Sequence, residues 1–258
     1  MTEKRIAVLA DIHGNSIALE AVLQDIRDQG SVDEYWFLGD YVAIGHDPLG
    51  VLERFTTLPT ARFIRGNTDR YVTTGDLPGP SQEQLLEDPS LLSMVVSLAR
   101  NFAWTAGAVS ASGWLPWLSE LPLEMRTELP NGKRVLAVHA SPGTDDGGGI
   151  HPGRSVAELR KLLSSSQADL VLIGHTHTPF IRQINNVQVI NPGSVSNPFP
   201  PDLRGCYAML VCTPENYTVE LKRVNYDRQA VIREARRVRH PAAEVIGRYM
   251  DGEHKPPW

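Results

Sequence analysis

The chain has 258 residues, 41% of them hydrophobic and 21% charged, which is enough apolar material to bury a large core and excludes disorder and fibrous repeats. Its 25 basic against 30 acidic residues leave a net charge of −5, so the basic footprint of a nucleic-acid binder is missing and any anionic ligand must be held locally. Cys206 and Cys212 share one apolar run whose spacing suits neither a disulfide framework nor a zinc ribbon, and both are expected to be buried strand residues in a reducing cytosol.

In chain order, the apolar run 6–10 follows Lys4 and Arg5 and stops at Asp11, too short for a signal peptide and right for a first strand. A helix follows from a cap at Asn15 or Ser16 to about 29, with Ile17, Ala21, Val22 and Ile26 on one stripe and Gly30 as its stop. Strand 35–38 ends at Gly39 and Asp40, helix 47–57 comes next, and the short run 63–64 leads through Gly66 to Asn67. From 71 to 122 the strand rhythm lapses into helical candidates at 81–87, 90–106 and 112–121. The uncharged stretch 101–119 holds Gly107, Gly113 and Pro116, which make it a poor membrane span and a better buried helix and turn. Beyond it, Asn131-Gly132 and Asn185-Asn186 mark hairpins, and helix 155–163 and strand 170–173 lie between them. Strands 207–211 and 217–224 pair through Pro214-Glu215-Asn216, and an amphipathic helix 227–239 closes the pattern. This is the βαβ rhythm of one α/β layered domain, residues 1–258, with a helical cap insertion at about 71–122.

Five strands each deliver a ligand-type residue just past their carboxyl ends: Asp11, Asp40, Asn67, His139 and His175. Open α/β sheets place their sites there. Asp11 with His13, and His175 with His177, sit two residues apart, and extended backbone would point each pair the same way. Two carboxylates, one amide and four imidazoles without a thiolate suit manganese, iron, nickel or zinc in expanded coordination rather than a closed structural zinc site.

The segments DIHG (11–14), GDYV (39–42), GNTD (66–69), VHASPG (138–143) and GHTH (174–177) resemble the ordered motif set of the calcineurin-like metallophosphoesterases, and the resemblance covers about 6–196. It implies a four-layer fold, a β-sandwich core flanked by helices, and two divalent metal ions, manganese first with iron, nickel or zinc as alternatives. Asp11, His13 and His177 would hold the first ion, Asn67, His139 and His175 the second, and Asp40 would bridge them. Asp40, Asn67 and His139 are then the catalytic set, Arg70 is expected to contact substrate, and His46 reads as either a substrate contact or a solvent-exposed loop histidine. Two divalent ions bring four positive charges, the two aspartates remove two and a bridging hydroxide a third, which leaves a positive pocket for phosphate. The implied reaction is hydrolysis of a phosphodiester or nucleotide phosphoanhydride by a metal-activated hydroxide. The expected partner is a small phosphorylated substrate in the cytoplasm, with no membrane and no nucleic acid. The alternatives are a broad phosphomonoesterase, a protein phosphatase and a noncatalytic binding module on the same fold.

Protein Ser/Thr phosphatases of that superfamily carry an Asp and an Arg after the second motif and a His in the third, where this chain has Ala43, Ile44 and Thr68. Losing the acid, its orienting carboxylate and the phosphate grip together argues for the small bacterial-type branch. Asp145 and Asp146 with Gly147-Gly148-Gly149 read as either a mobile lid or a plain flexible turn, and His151 as a weaker relative of His46. The tryptophans 104, 114 and 117 are expected to pack the insertion, and the arginines 233, 236, 237 and 239 to face solvent. Substrate choice is expected to reside in the insertion.

Overall fold

In the computed structural model, which describes residues 3–255, strand β1 (Lys4–Leu9) is buried on both faces. Its alternation sorts the core: Ile6 and Val8 point one way with Ala10, while Ala7 and Leu9 point the other. The strand lies at the centre of a five-stranded sheet. On one side stand β2 (Glu34–Phe37) and β3 (Ala61–Phe63), both parallel to it. On the other stands the antiparallel hairpin β9 (Gly205–Cys212) and β10 (Tyr217–Val224). The parallel crossovers run through α1 (Ser16–Asp28) and α2 (Pro48–Phe55), whose caps are the side chains of Asn15 and Asp47.

A second five-stranded sheet has β5 (Arg134–Val138), β6 (Leu170–Leu172) and β8 (Val187–Asn191) parallel, edged by β4 (Glu124–Glu128) and β7 (Phe180–Ile184). The sheets meet where Val8, Trp36 and Leu38 pack on Val135, Ala137, Leu172 and Ile190. Outside the first sheet, Leu9, Phe37 and Tyr207 lie under Leu19, Leu23 and Leu52 of α1 and α2. Outside the second, Leu136, Val171 and Val189 lie under Leu159 and Leu163 of α7 (Val156–Leu163). Helix, sheet, sheet, helix is the expected four-layer α/β sandwich, held by side chains each worth about 1.5–3 kcal/mol on full burial.

The insertion is helical, built from α3 (Asn67–Thr74), α4 (Gln82–Glu87), a 3₁₀ turn at Pro89–Leu91, α5 (Leu92–Ala111) and α6 (Leu115–Ser119). Part of it packs into the body of the domain. Val72, Phe102, Val109 and Leu118 join the core formed by Phe37 and Phe55, and Trp117 meets the Phe63 ring edge-on at 5.2 Å. It buttresses the side of the first sheet, and its tryptophans pack, Trp104 against His240 at 4.4 Å. Helix α5 runs on to Ala111 rather than 106, because Gly113 at φ +80° is the stop, not Gly107. After α8 (Arg228–Arg237) comes α9 (Ala243–Asp251), unforeseen in the sequence, which packs through Ile246 and Met250 on Val231. Both cysteines are free and buried on β9, and burial pushes each thiol up to about 11. Among the described residues no helix is long and apolar enough to cross a membrane.

Candidate metal centre

The carboxyl ends of the parallel strands of both sheets open onto one place, and the loops leaving them are laced together. The amides of Ile12 and His13 both donate to the Asp40 carbonyl at 2.9 Å, Gly174 N donates to the His139 carbonyl at 2.9 Å, and Val195 N to the Ala10 carbonyl at 3.0 Å. The paired residues do converge, but not on extended backbone. Asp11 (φ +57°), His13 (+49°), Asp40 (+61°), His175 (+66°) and His177 (+52°) all adopt the left-handed region, at a cost of order 1–2 kcal/mol each. Such kinks turn each chain sharply inward at the sheet edge, and strand alternation ends before the ligands begin.

Which nitrogens face inward follows from the carbonyls behind them. A carbonyl only accepts, so His139 donates from Nδ1 to Leu38 O (2.6 Å), His177 from Nδ1 to Asn197 O (3.0 Å) and His175 from Nε2 to Gly147 O (2.7 Å). The opposite nitrogens of the neutral rings therefore present lone pairs to the centre. Asn67 turns its amide NH₂ towards the Tyr71 hydroxyl, and its Oδ1 lies 3.1 Å from His139 Nε2 and 3.0 Å from His175 Nδ1. Asp40 Oδ2 stands 3.4 Å from His139 Nε2 and 3.7 Å from His13 Nε2. On the other side, His13 Nε2 and His177 Nε2 are 3.0 Å apart, and Asp11 Oδ1 is 3.4 Å from His177 Nε2.

Acceptors facing acceptors at such distances need a cation among them. Asp11 Oδ2 is buried with no hydrogen-bond partner, and Asp11 with His13 and His177, and again with Asp40 and His139, places ligand atoms within 4.8 Å of one another. In the absence of a metal the same point attracts a proton. Although burial opposes it, Asp40, Asp11 and the Leu38 carbonyl hold His139 up to about 10, whereas burial drives His13 down to about 4. Burial would raise the Asp40 carboxyl, but His139, His13 and His175 hold it below its ordinary value. The donor set, oxygen and imidazole with no sulfur, fits divalent cations of the manganese to zinc series.

Several supporting residues went unseen in the sequence. Asp69, fully buried, accepts from the backbone amides of Asp40 and Tyr41 at 2.8 Å and of Gly66 at 3.0 Å, fixing the turn that carries Asp40. Its signal was its place at the third position of α3. After β8, Asn191 donates to Gly174 O (2.8 Å), Ser194 Oγ to Asp11 O (2.8 Å), and Asn197 supplies the carbonyl behind His177. The Asn191-Pro192-Gly193-Ser194 turn sequence announced that loop. Gly66 has no room for a side chain, since a Cβ there would meet Asp40 Oδ1 at 2.1 Å.

The two residues expected to touch substrate have partners of their own. His46 is buried against α8 in a separate cavity, where its charged neighbours are Asp47, Glu234 and Arg237. Arg70 commits its guanidinium to Asp145 (3.2 Å) and Asp146 (2.9 Å), and Tyr71 also donates to Asp146. That network pins the glycine loop whose Gly147 carbonyl orients His175, so the loop is anchored rather than a free lid. Thr68 donates its amide to Asp40 Oδ1 at 2.9 Å, and its buried hydroxyl has no partner.

A two-sheet α/β sandwich with carboxylates, imidazoles and an amide gathered at its strand ends defines a metal-binding protein of the hydrolase type. The chain belongs to the calcineurin-like phosphoesterase superfamily, whose domain matches residues 5–215. A crystal structure of a metallophosphoesterase from Sphaerobacter thermophilus superposes with TM-score 0.74 at 26% identity, over 97% of this chain and 99% of that one. A hypothetical protein from Pyrococcus horikoshii shares the fold with TM-score 0.76 at 20% identity, over 95% and 97% of the two chains. In sequence, an uncharacterized protein of Methanocaldococcus jannaschii is 27% identical over 88% of this chain and 90% of its own length. A symmetrical bis(5'-nucleosyl)-tetraphosphatase of a Shewanella species is 28% identical over 59% of this chain, and the match spans 47% of that enzyme.

Proposed function

We propose that the chain is a dinuclear metal-dependent phosphoesterase that hydrolyses a phosphodiester or a nucleotide phosphoanhydride. The observation that carries this reading is the convergence of seven nitrogen- and oxygen-bearing side chains at the strand ends, with backbone carbonyls behind three of the four imidazoles. Asp11, His13 and His177 would hold one ion, Asn67, His139 and His175 the other, and Asp40 both. Two such ions, manganese first in preference, supply Lewis-acid charge and lower the pKa of water. The chain's own residues do the positioning. Carbonyls of Leu38, Asn197 and Gly147 fix three imidazole tautomers, and the Asp69 carboxylate fixes the Asp40 turn.

What the site lacks narrows the substrate. The Thr68 hydroxyl can donate a hydrogen bond to a departing oxygen but is too weak an acid to surrender its proton near neutral pH, and a positioned general acid is worth roughly 10²–10⁴ in rate. His46, which could otherwise protonate a leaving oxygen, faces α8. A leaving group that departs as a stable anion, from an anhydride or an acidic ester, therefore suits this site best, and the likeness to a nucleoside tetraphosphatase supports the same side. Turnover of bis(p-nitrophenyl) phosphate, p-nitrophenyl phosphate and diadenosine tetraphosphate, with metal content measured in parallel, tests the reading. Asp40→Asn is expected to lower the rate at least about a hundredfold. Activity that persists after chelation to negligible metal content overturns it.

A further inference from the structure

Next to the cluster lies a cavity of 380 Å³ that no residue of the insertion lines. One wall is formed by the metal-ligand candidates His175 and His177, and the opposite wall comes from the carboxy-terminal end of the chain. That end is steered there by the close of α9: Gly252 N donates to Tyr249 O at 3.1 Å and Glu253 N to Arg248 O at 2.9 Å, with Gly252 at φ +76°. The turn folds 253–255 back over Phe199. Three rings follow in succession from the cluster outward: Phe199 at 5.9 Å from His177, His254 at 5.0 Å from Phe199, and Tyr249 at 4.4 Å from His254. Lys255, exposed, stands at the mouth.

We propose that Phe199, Tyr249 and His254, with Lys255, form the subsite for the aromatic heterocycle of a nucleotide-type substrate whose phosphate lies at the Asp40 cluster. The volume falls in the range of small-molecule sites, and half-buried rings lining it make an apolar, aromatic wall against which a base packs without hydrogen-bond readout. The cation at the mouth complements phosphates that extend beyond the scissile one. Selectivity thus resides in the tail and the loop after β8 rather than in residues 71–122. The phosphate half of this assignment rests on the phosphoesterase reading, and the ring half does not.

Equilibrium binding to the manganese-loaded protein separates the two. The probes are adenosine monophosphate and ribose 5-phosphate, which share a phosphomonoester and differ by the base. Wild type is expected to bind the nucleotide at least about tenfold more tightly. His254→Ala, and separately a chain ending at Glu253, should bring that ratio to within about threefold of one, each with its far-UV circular dichroism and melting temperature retained. Equal affinity of the two probes for wild type overturns the subsite, as does a preference that survives in both variants. A tail-dependent preference in a protein that hydrolyses no phosphoester supports the subsite and removes the catalytic reading. Ester hydrolysis without the preference does the reverse.

Discussion

Replacing Asp69 by Asn sets two opposed effects against each other at one buried carboxylate. Burial, then the neighbouring Asp40 charge, push the Asp69 carboxyl up to about 7, so removing its charge relieves a repulsion. Against this stand three backbone amides: Oδ2 accepts from Asp40 and Gly66, and Oδ1 from Tyr41. Asn keeps one acceptor oxygen. Its best orientation leaves that oxygen on two amides and turns the NH₂ against the Tyr41 amide, donor to donor. The substitution loses one charge-assisted hydrogen bond, weakens two, and leaves a buried donor unpaired, where bonds to charged groups are worth about 1.5–3 kcal/mol and an orphan costs about 1–3 kcal/mol. Offset by the relieved repulsion, the net loss is about 2–4 kcal/mol. For a chain of this size that lowers the melting temperature by roughly 5–15 °C. Thermal unfolding at pH 8 reads the stability, and amide hydrogen exchange at Asp40, Tyr41 and Gly66 should accelerate in the same variant. An unchanged or raised melting temperature would refute the reasoning, because Asp69 would then be a buried liability rather than the clamp of the Asp40 turn.

Gly66→Ala places a Cβ on Asp40 Oδ1, so metal affinity measured by titration should fall at least about tenfold even where the protein still folds. Across a series of esters, rates should fall steeply with leaving-group pKa, with aryl esters and anhydrides turning over and simple alkyl phosphates scarcely at all. A shallow dependence would show that an acid other than Thr68 serves the leaving oxygen. His240, packed on Trp104, is driven down to about 4 by burial and then by His46. The unfolded chain takes a proton there below about 6.5 and the folded one refuses it, so stability present above that pH is lost as pH falls from about 6.5 to 4. His240→Asn keeps a side-chain acceptor for the Ala242 amide and cannot be protonated, so its melting temperature should decline less over that window than wild type, and parallel profiles would contradict the assignment.

Chemistry was legible before geometry in this chain. Short apolar runs that stop at Asp11, Asp40, Asn67, His139 and His175 announce both the strands and the candidate ligands, because a buried strand must be apolar along its length and a polar residue marks where it emerges. The four layers followed from the family resemblance, and the run Ile6 to Ala10, apolar on both sides of the pleat, finds a packed neighbour on each. Other features are nonlocal. Left-handed backbone at Asp11, His13, Asp40, His175 and His177 is tolerated by Asp and His but not dictated by them, and hydrogen bonds between loops far apart in the chain hold it. Asp69 reads as a helix-start acid until Asp40 is folded beside it. His46 and Arg70 carry the right chemistry for phosphate, yet their directions depend on α8 and on Asp145 and Asp146, far along the chain. The aromatic wall brings together Phe199, Tyr249 and His254 only because Gly252 reverses the chain after α9, and Val72, Phe102, Val109 and Leu118 of the inserted segment share a core with Phe37 and Phe55. Local pattern decides which residues are strand, helix and ligand; which of them face one another is decided by packing between segments that the sequence holds far apart.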